Sequence, residues 1–200
     1  VLAVRGDESG YQKPLRDGKT ANLYAADLVR QIADMNRGRY LAADLLDASP
    51  TAFSVGVGGY PEKHFEAPNL VTDVRRTKEK VDAGADSAIT QYFFNADAYA
   101  HFVEEVQALG IAVPIVPGIM PIANFSKIAR FSDACGTEIP RWMRRKFESF
   151  GDDSASVRAF GLDVVTELCA RLLDRGAPGL HFYTLNQAGL TSTICQRLGL

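Results

Sequence analysis

Cysteine is scarce in this chain. There are 3 in 200 residues (Cys135, Cys169, Cys195), an odd number with no Cys-x-x-Cys pair. That speaks against a disulfide framework or a structural zinc site, and it fits a reducing, cytoplasmic setting. The histidines His64, His101 and His181 are too far apart to show metal-ligand spacing, so no metal is expected. No apolar run reaches the ~18 residues of a membrane span, which excludes a membrane role of that kind. A basic excess is also missing. Lys+Arg is 22 against 24 Asp+Glu, a net charge of -2, so nucleic acid is not an expected partner. There is no Gly-x-Gly-x-x-Gly after the first strand, no internal repeat and no low-complexity tract. An initial Met and a signal-peptide n-region are lacking too. The chain opens on Val1-Leu2-Ala3-Val4, which reads as a buried strand already in progress and predicts a piece of a longer protein.

The rest of the composition is ordinary for a globular domain: 46% hydrophobic, 23% charged and 10% aromatic. A chain of this size buries roughly 70% of its unfolded surface in one core, so a single domain over 1–200 is expected. Strands are predicted over 1–4, 53–57, 88–93, 112–116 and 180–183. Helices are predicted over 22–34, 69–83, 97–109, 125–132, 140–150, 154–175 and 188–198. In the helix over 69–83, Leu70, Val74, Thr77 and Val81 form one stripe, and Gly84 supplies the stop. The segment 8–20 reads as a mobile active-site loop, and 37–50 as either a helix extension or an insertion.

Strand and helix alternate, which implies parallel strands with crossover helices. Polar residues follow nearly every strand, as on the active face of a (β/α)8 TIM barrel. Five βα units are present. At about 30 residues per unit, three units or roughly 90 residues would lie upstream of Val1. The expected fold is therefore an α/β TIM barrel truncated at its N-terminus.

Several of these strand tips could carry chemistry. Arg5-Gly6-Asp7 combines opposite charges with close backbone approach at a glycine, or forms a structural Arg–Asp pair. Tyr60-Pro61-Glu62-Lys63-His64-Phe65-Glu66 packs two kinds of ring and two carboxylates into one loop, which suits a planar, polar cofactor; a solvated loop histidine is the plainer alternative. Asp73, Arg76 or Thr77, and Lys80 share one helical face, which is either solvated or turned to a cofactor's phosphate groups. Gln91 ends an apolar strand, where an amide needs hydrogen-bond partners, from a ligand or from backbone. Three prolines over 114–121 stiffen the exit of the fourth strand. His101 lies within a helix and reads as surface.

Taken together, six segments resemble the methylenetetrahydrofolate reductase family. They are Arg5-Gly6-Asp7, Tyr60-Pro61-Glu62 with His64, Lys80-Val81-Asp82-Ala83-Gly84-Ala85, Ile89-Thr90-Gln91-Tyr92-Phe93-Phe94, Val116-Pro117-Gly118-Ile119-Met120-Pro121 and His181-Phe182-Tyr183-Thr184-Leu185-Asn186. Each is weak alone, but six in order are specific. The resemblance implies a TIM barrel with FAD at the strand C-termini. It also implies reduction of 5,10-methylenetetrahydrofolate to 5-methyltetrahydrofolate for methionine biosynthesis. NADH or NADPH reduces the flavin and leaves before folate binds, in a ping-pong cycle.

The same resemblance implies site residues. Arg5, Gly6, Asp7, Tyr24, Ala25, Tyr60, His64, Asp73 and Lys80 would bind FAD. Asp7 would also act in catalysis, its charge disfavouring the anionic reduced flavin and stabilising the cationic iminium form of folate. Gln91 would bind folate and nicotinamide, Phe131 would stack on the substrates, and Gln187 stands where an Arg is more usual. Arg76 and Glu79 depart from an Asn and an Arg found near FAD in some members. The family's proton-donating Glu ends the first barrel strand, upstream of Val1, so this stretch alone is expected to be inactive. A homo-oligomer is compatible with the family. Two alternatives stand beside the reductase reading. One is a split or inactive fragment that needs a partner chain. The other is another barrel enzyme, for which neither a strand-end Schiff-base lysine nor a late phosphate loop is apparent.

Overall fold

A computed structural model describes residues 1–5 and 22–200 of the chain. Gly6, Asp7 and the expected loop over 8–20 lie outside the described residues. The strands are β1 (Leu2–Ala3), β2 (Gly56–Gly59), β3 (Ser87–Tyr92), β4 (Ile115–Ile119) and β5 (His181–Phe182). The helices are α1 (Ala25–Met35), α2 (Leu70–Asp82), α3 (Ala96–Ala108), α4 (Phe125–Cys135), α5 (Arg141–Glu148), α6 (Ser154–Asp174) and α7 (Ala188–Leu198). All strand pairs are parallel, and the spatial order β1-β2-β3-β4-β5 follows the chain. A sequential parallel sheet with helical crossovers is the arrangement of a TIM barrel, here with five of its strands.

Local chemistry sets the helix ends. Asn69, Asn95 and Asn124 each accept a first-turn backbone N–H at α2, α3 and α4, and Asp153 does so at α6. These bonds satisfy donors that have no partner within the helix. Gly84 and Gly136 then take positive φ just past α2 and α4, where a side chain would be strained. The apolar stripes turn inward. Val74 and Thr77 of α2, Phe102 and Val106 of α3, and Leu168 and Leu172 of α6 are all buried. His101 is exposed on α3, as expected.

Two strands lie further along the chain than the apolar runs predict. β2 begins at Gly56, because residues 53–55 use their backbone groups elsewhere. Phe53 N–H and its carbonyl both bond the Asn36 side chain, and Val55 N–H donates to the Asp86 carboxylate at 2.7 Å. The glycines, poor strand formers by propensity, are held in the sheet by pairing with β1 and β3. β4 begins at Ile115 and runs through Pro117 and Gly118, which the proline pattern places beyond the strand, at its exit. Pro117 cannot donate to a ladder. The register slips by one residue opposite it, between Ile89 and Tyr92. Gly118 N–H donates to Thr90 Oγ1 at 2.9 Å. A Cβ on Gly118 would come within 2.1 Å of the Thr90 carbonyl oxygen, so only glycine fits this crossing.

The segment 37–50 is neither helix nor strand. Gly38 ends the turn after α1 at φ 74°, and Tyr40 Oη donates to the Ser49 carbonyl at 2.6 Å, which ties the excursion to itself. The helix-extension reading is thereby set aside. α4 continues to Cys135, beyond the expected stop at 132, because Gly136 rather than Ser132 provides the left-handed cap.

Candidate active site

The tips of β1 and β2 and the outer half of α2 enclose a cavity of about 590 Å3. That is within the range of small-molecule sites, ~300–1,000 Å3. Its walls include Arg5, Tyr24, Ala25, Tyr60, His64, Asp73 and Lys80. These are all the described residues that the family resemblance assigns to FAD. Arg76 and Glu79, the two departures, line it as well.

The polar face of α2 is largely buried, with Arg76 left exposed. Asp73 is 3% exposed, Thr77 0% and Lys80 9%. Charged groups at such depth require partners. The Asp73 carboxylate accepts the His64 backbone N–H at 2.7 Å, which pins the 60–66 loop to the helix. Lys80 reaches across to donate its Nζ–H to the Gly58 carbonyl of β2, with Nζ 5.8 Å from the centre of the Tyr60 ring. Burial pulls the Lys80 amine down to about 8, against the opposing pull of Asp73. The buried amine thus lies between the Gly58 carbonyl, the Tyr60 ring and the field of Asp73.

Rings and ion pairs complete the wall. Tyr60 and His64 meet edge to face, with ring centres 4.7 Å apart, and His64 stacks on Phe65. His64 Nδ1 accepts the Glu66 backbone N–H at 3.2 Å, so the neutral imidazole carries its proton on Nε2. Arg5 donates to Glu66 at 2.7 Å. The Arg–Asp pair that the Arg5-Gly6-Asp7 triplet suggested involves Asp7, which lies outside the described residues. Glu62, on the far side of the loop, accepts the Glu138 backbone N–H at 2.9 Å. Burial pushes its carboxyl up to about 7, while that hydrogen bond pulls the other way.

The residues assigned to folate and nicotinamide lie elsewhere on the same rim. Gln91, Phe131 and Gln187 are absent from the cavity wall. Gln91 stands at the end of β3, and its Oε1 accepts the neighbouring Tyr92 N–H at 3.0 Å. This is the backbone-satisfied alternative for that oxygen. Phe131 projects from α4, 47% exposed, and Gln187 caps α7 on the surface. Sequence reasoning missed Gly58, Glu62 and Glu66 as structural partners of the site. The glycine-rich strand was a signal for Gly58, since a lysine can reach a backbone that carries no side chain. Nothing in the spacing pointed to Glu62 bonding a residue 76 positions away. Among the described residues, no group of three or more His, Cys, Asp or Glu could hold a metal ion. No helix among them is long and apolar enough to cross a membrane.

The sequence matches the family described as methylenetetrahydrofolate reductase over residues 1–199. It is 36% identical over 200 residues to 5,10-methylenetetrahydrofolate reductase of Escherichia coli, covering 100% of this chain and 60% of that protein. It is 37% identical over 209 residues to methylenetetrahydrofolate reductase (NADH) 1 of Arabidopsis thaliana, covering 100% of this chain and 33% of that one. The chain thus spans about 60% of the length of its bacterial relatives. Among solved structures, a protein from Clostridium thermocellum described as binding two copies of 5-methyl-5,6,7,8-tetrahydrofolic acid superposes with a TM-score of 0.52. It shares 19% identity, and the match covers 86% of this chain and 57% of that one. At that identity the likeness speaks for the barrel fold alone. On the family match over nearly its whole length, the chain belongs to the methylenetetrahydrofolate reductase family.

Proposed function

We propose that this chain is part of a flavin-dependent reductase that converts 5,10-methylenetetrahydrofolate to 5-methyltetrahydrofolate at the expense of NADH or NADPH. Its place is one-carbon metabolism, feeding methionine synthesis in the cytoplasm. One observation carries the reading: every described residue that the resemblance assigns to FAD lines a single cavity. They come from β1, α1, the loop after β2 and α2, so their convergence is a result of the fold rather than of spacing.

The donor set fits FAD. Lys80 offers a buried cation toward a diphosphate, with Arg75 and Arg76 adding positive charge on the same wall. Tyr60 and His64 offer ring surface and, on Nε2, an N–H donor. Bound flavin supplies hydride transfer, which no side chain can perform. The protein's own part is to bind and orient. Asp73 holds the 60–66 loop against α2, and Gly58 holds the Lys80 ammonium in place. Gln91 is assigned to the folate and nicotinamide rings, Phe131 to stacking on them, and Gln187 to the substrate edge. Asp7 is assigned the charge that favours the cationic form of folate. The methyltetrahydrofolate held by the Clostridium protein supports a folate as the small-molecule partner.

The test is spectroscopic. The natural full-length protein is purified and its visible spectrum recorded, then it is mixed anaerobically with NADH or NADPH and afterwards with 5,10-methylenetetrahydrofolate. Flavin absorbance is expected, bleaching with the nicotinamide and returning with the folate. A colourless protein that takes up no added FAD would overturn the proposal.

A further inference from the structure

Tyr92 closes β3 one residue after Gln91, and it is 1% exposed. Its ring lies nearly parallel to that of Phe131, at 14° with 5.8 Å between centres. Phe131 is 47% exposed, so one face of it rests on Tyr92 while the other meets solvent. A ring on a helix surface has two soft torsions, and a buried aromatic beneath it restricts both.

Tyr92 is itself fixed by polar bonds. Its hydroxyl bonds Ser132 Oγ at 2.9 Å, in the helix residue next to Phe131. The same hydroxyl is 3.5 Å from Cys135 Sγ, which also donates to the Phe131 carbonyl at 2.8 Å. Thr137 Oγ1 donates to the Tyr92 carbonyl at 3.2 Å. The phenol is thus a rivet between the tip of β3 and the last turns of α4. A phenylalanine would fill the same space and make none of the hydroxyl bonds.

We infer that Tyr92 is a positioning residue for the folate and nicotinamide site, its hydroxyl locking α4 so that Phe131 presents a fixed face beside Gln91. The inference rests on the proposed stacking role of Phe131. Because the lock is a bond between two side chains, breaking it from either side should have the same effect, and breaking it twice should add little.

The experiment uses the natural full-length protein with FAD bound. The dissociation constant for 5-methyltetrahydrofolate is measured for the parent, Tyr92→Phe, Ser132→Ala, the double variant and Phe131→Ala, with FAD affinity as an internal control. Phe131→Ala is expected to weaken folate binding about tenfold. Tyr92→Phe and Ser132→Ala are each expected to weaken it about threefold, the double variant no further, with FAD affinity unchanged. Loss with Phe131→Ala but none with Tyr92→Phe and Ser132→Ala overturns the lock and leaves the proposed function intact. Equal loss of folate and FAD affinity in those two variants also overturns it, since that marks general damage. No loss with Phe131→Ala overturns the stacking role and the lock with it.

Discussion

The rim of the sheet has two halves built from different chemistry. Around β1, β2 and α2 the buried groups include an aspartate and a lysine, with an exposed ion pair at the mouth, against a strand of glycines and one valine. Around β3, β4 and α4 the buried groups are rings and hydroxyls, with Tyr92 touching Phe94 and the exposed Phe131, and with Ser132 and Thr137 bonding to it. The first half is suited to a ligand with phosphate charge, the second to a flat, weakly charged ring. The halves also differ in what holds them. Long side chains reaching to backbone carry the first, whereas close backbone approach carries the second.

That contrast can be broken most forcefully at Gly118. Gly118→Ala places a methyl group against the Thr90 carbonyl, 2.1 Å away. The strands must separate, so a loss of about 3 kcal/mol is expected in denaturant unfolding, with the aromatic half disrupted first. A change at Lys80 acts on the charged half alone. Lys80→Met keeps the stem and removes the cation, and FAD affinity is expected to fall about tenfold or more, with folate affinity spared. The unliganded protein should respond in the opposite direction. The folded amine sits near 8, below its ordinary 10.5. Its contribution to stability is therefore complete above the unfolded value and is lost as pH falls through the folded one. Lys80→Met should gain on the parent by up to about 3 kcal/mol as pH is lowered from 10.5 to below 8, followed by thermal melting without FAD.

The smallest effect is at Glu62, which links the halves by reaching from the charged loop to the Glu138 N–H after α4. With its folded value raised from 4.5 to about 7, its contribution is fully present below 4.5 and is lost as pH rises through 7. Glu62→Gln keeps an acceptor and removes the titration. Its melting temperature should hold level across that interval while the parent's declines, by less than the Lys80 effect because solvent screens a half-buried group. A parent that does not decline would mean the halves are joined without strain at neutral pH.

Much of the fold was legible because helical periodicity and caps are local. Asn69, Val74, Thr77 and Gly84 specify α2 without reference to anything else, and α7 matched its predicted span. The shifts at β2 and β4 came from pairing, which is not local: Val55 turns to Asp86, and Pro117 enters the sheet because β3 slips to admit it. The face carrying Asp73 and Lys80 was identified, but whether it met water depended on how β2 and its loop fold over it. The Arg5–Glu66 and Glu62–Glu138 pairs join residues 61 and 76 apart, and no pattern in the chain announces them.

The strand order has a consequence in time. Each strand pairs with its neighbour in sequence, but the intervening chain differs greatly. Ala88 meets Ile115 across a short helix, while Gly118 must wait for His181 and Leu2 for Gly56. Loop-closure entropy favours the shortest interval, so β3 and β4 join first and the sheet zips outward. The two-residue strands β1 and β5 join last and reopen first. Amide exchange should record that order, with Ala88, whose N–H bonds the Pro114 carbonyl, most protected and the amides of the two outer strands exchanging soonest.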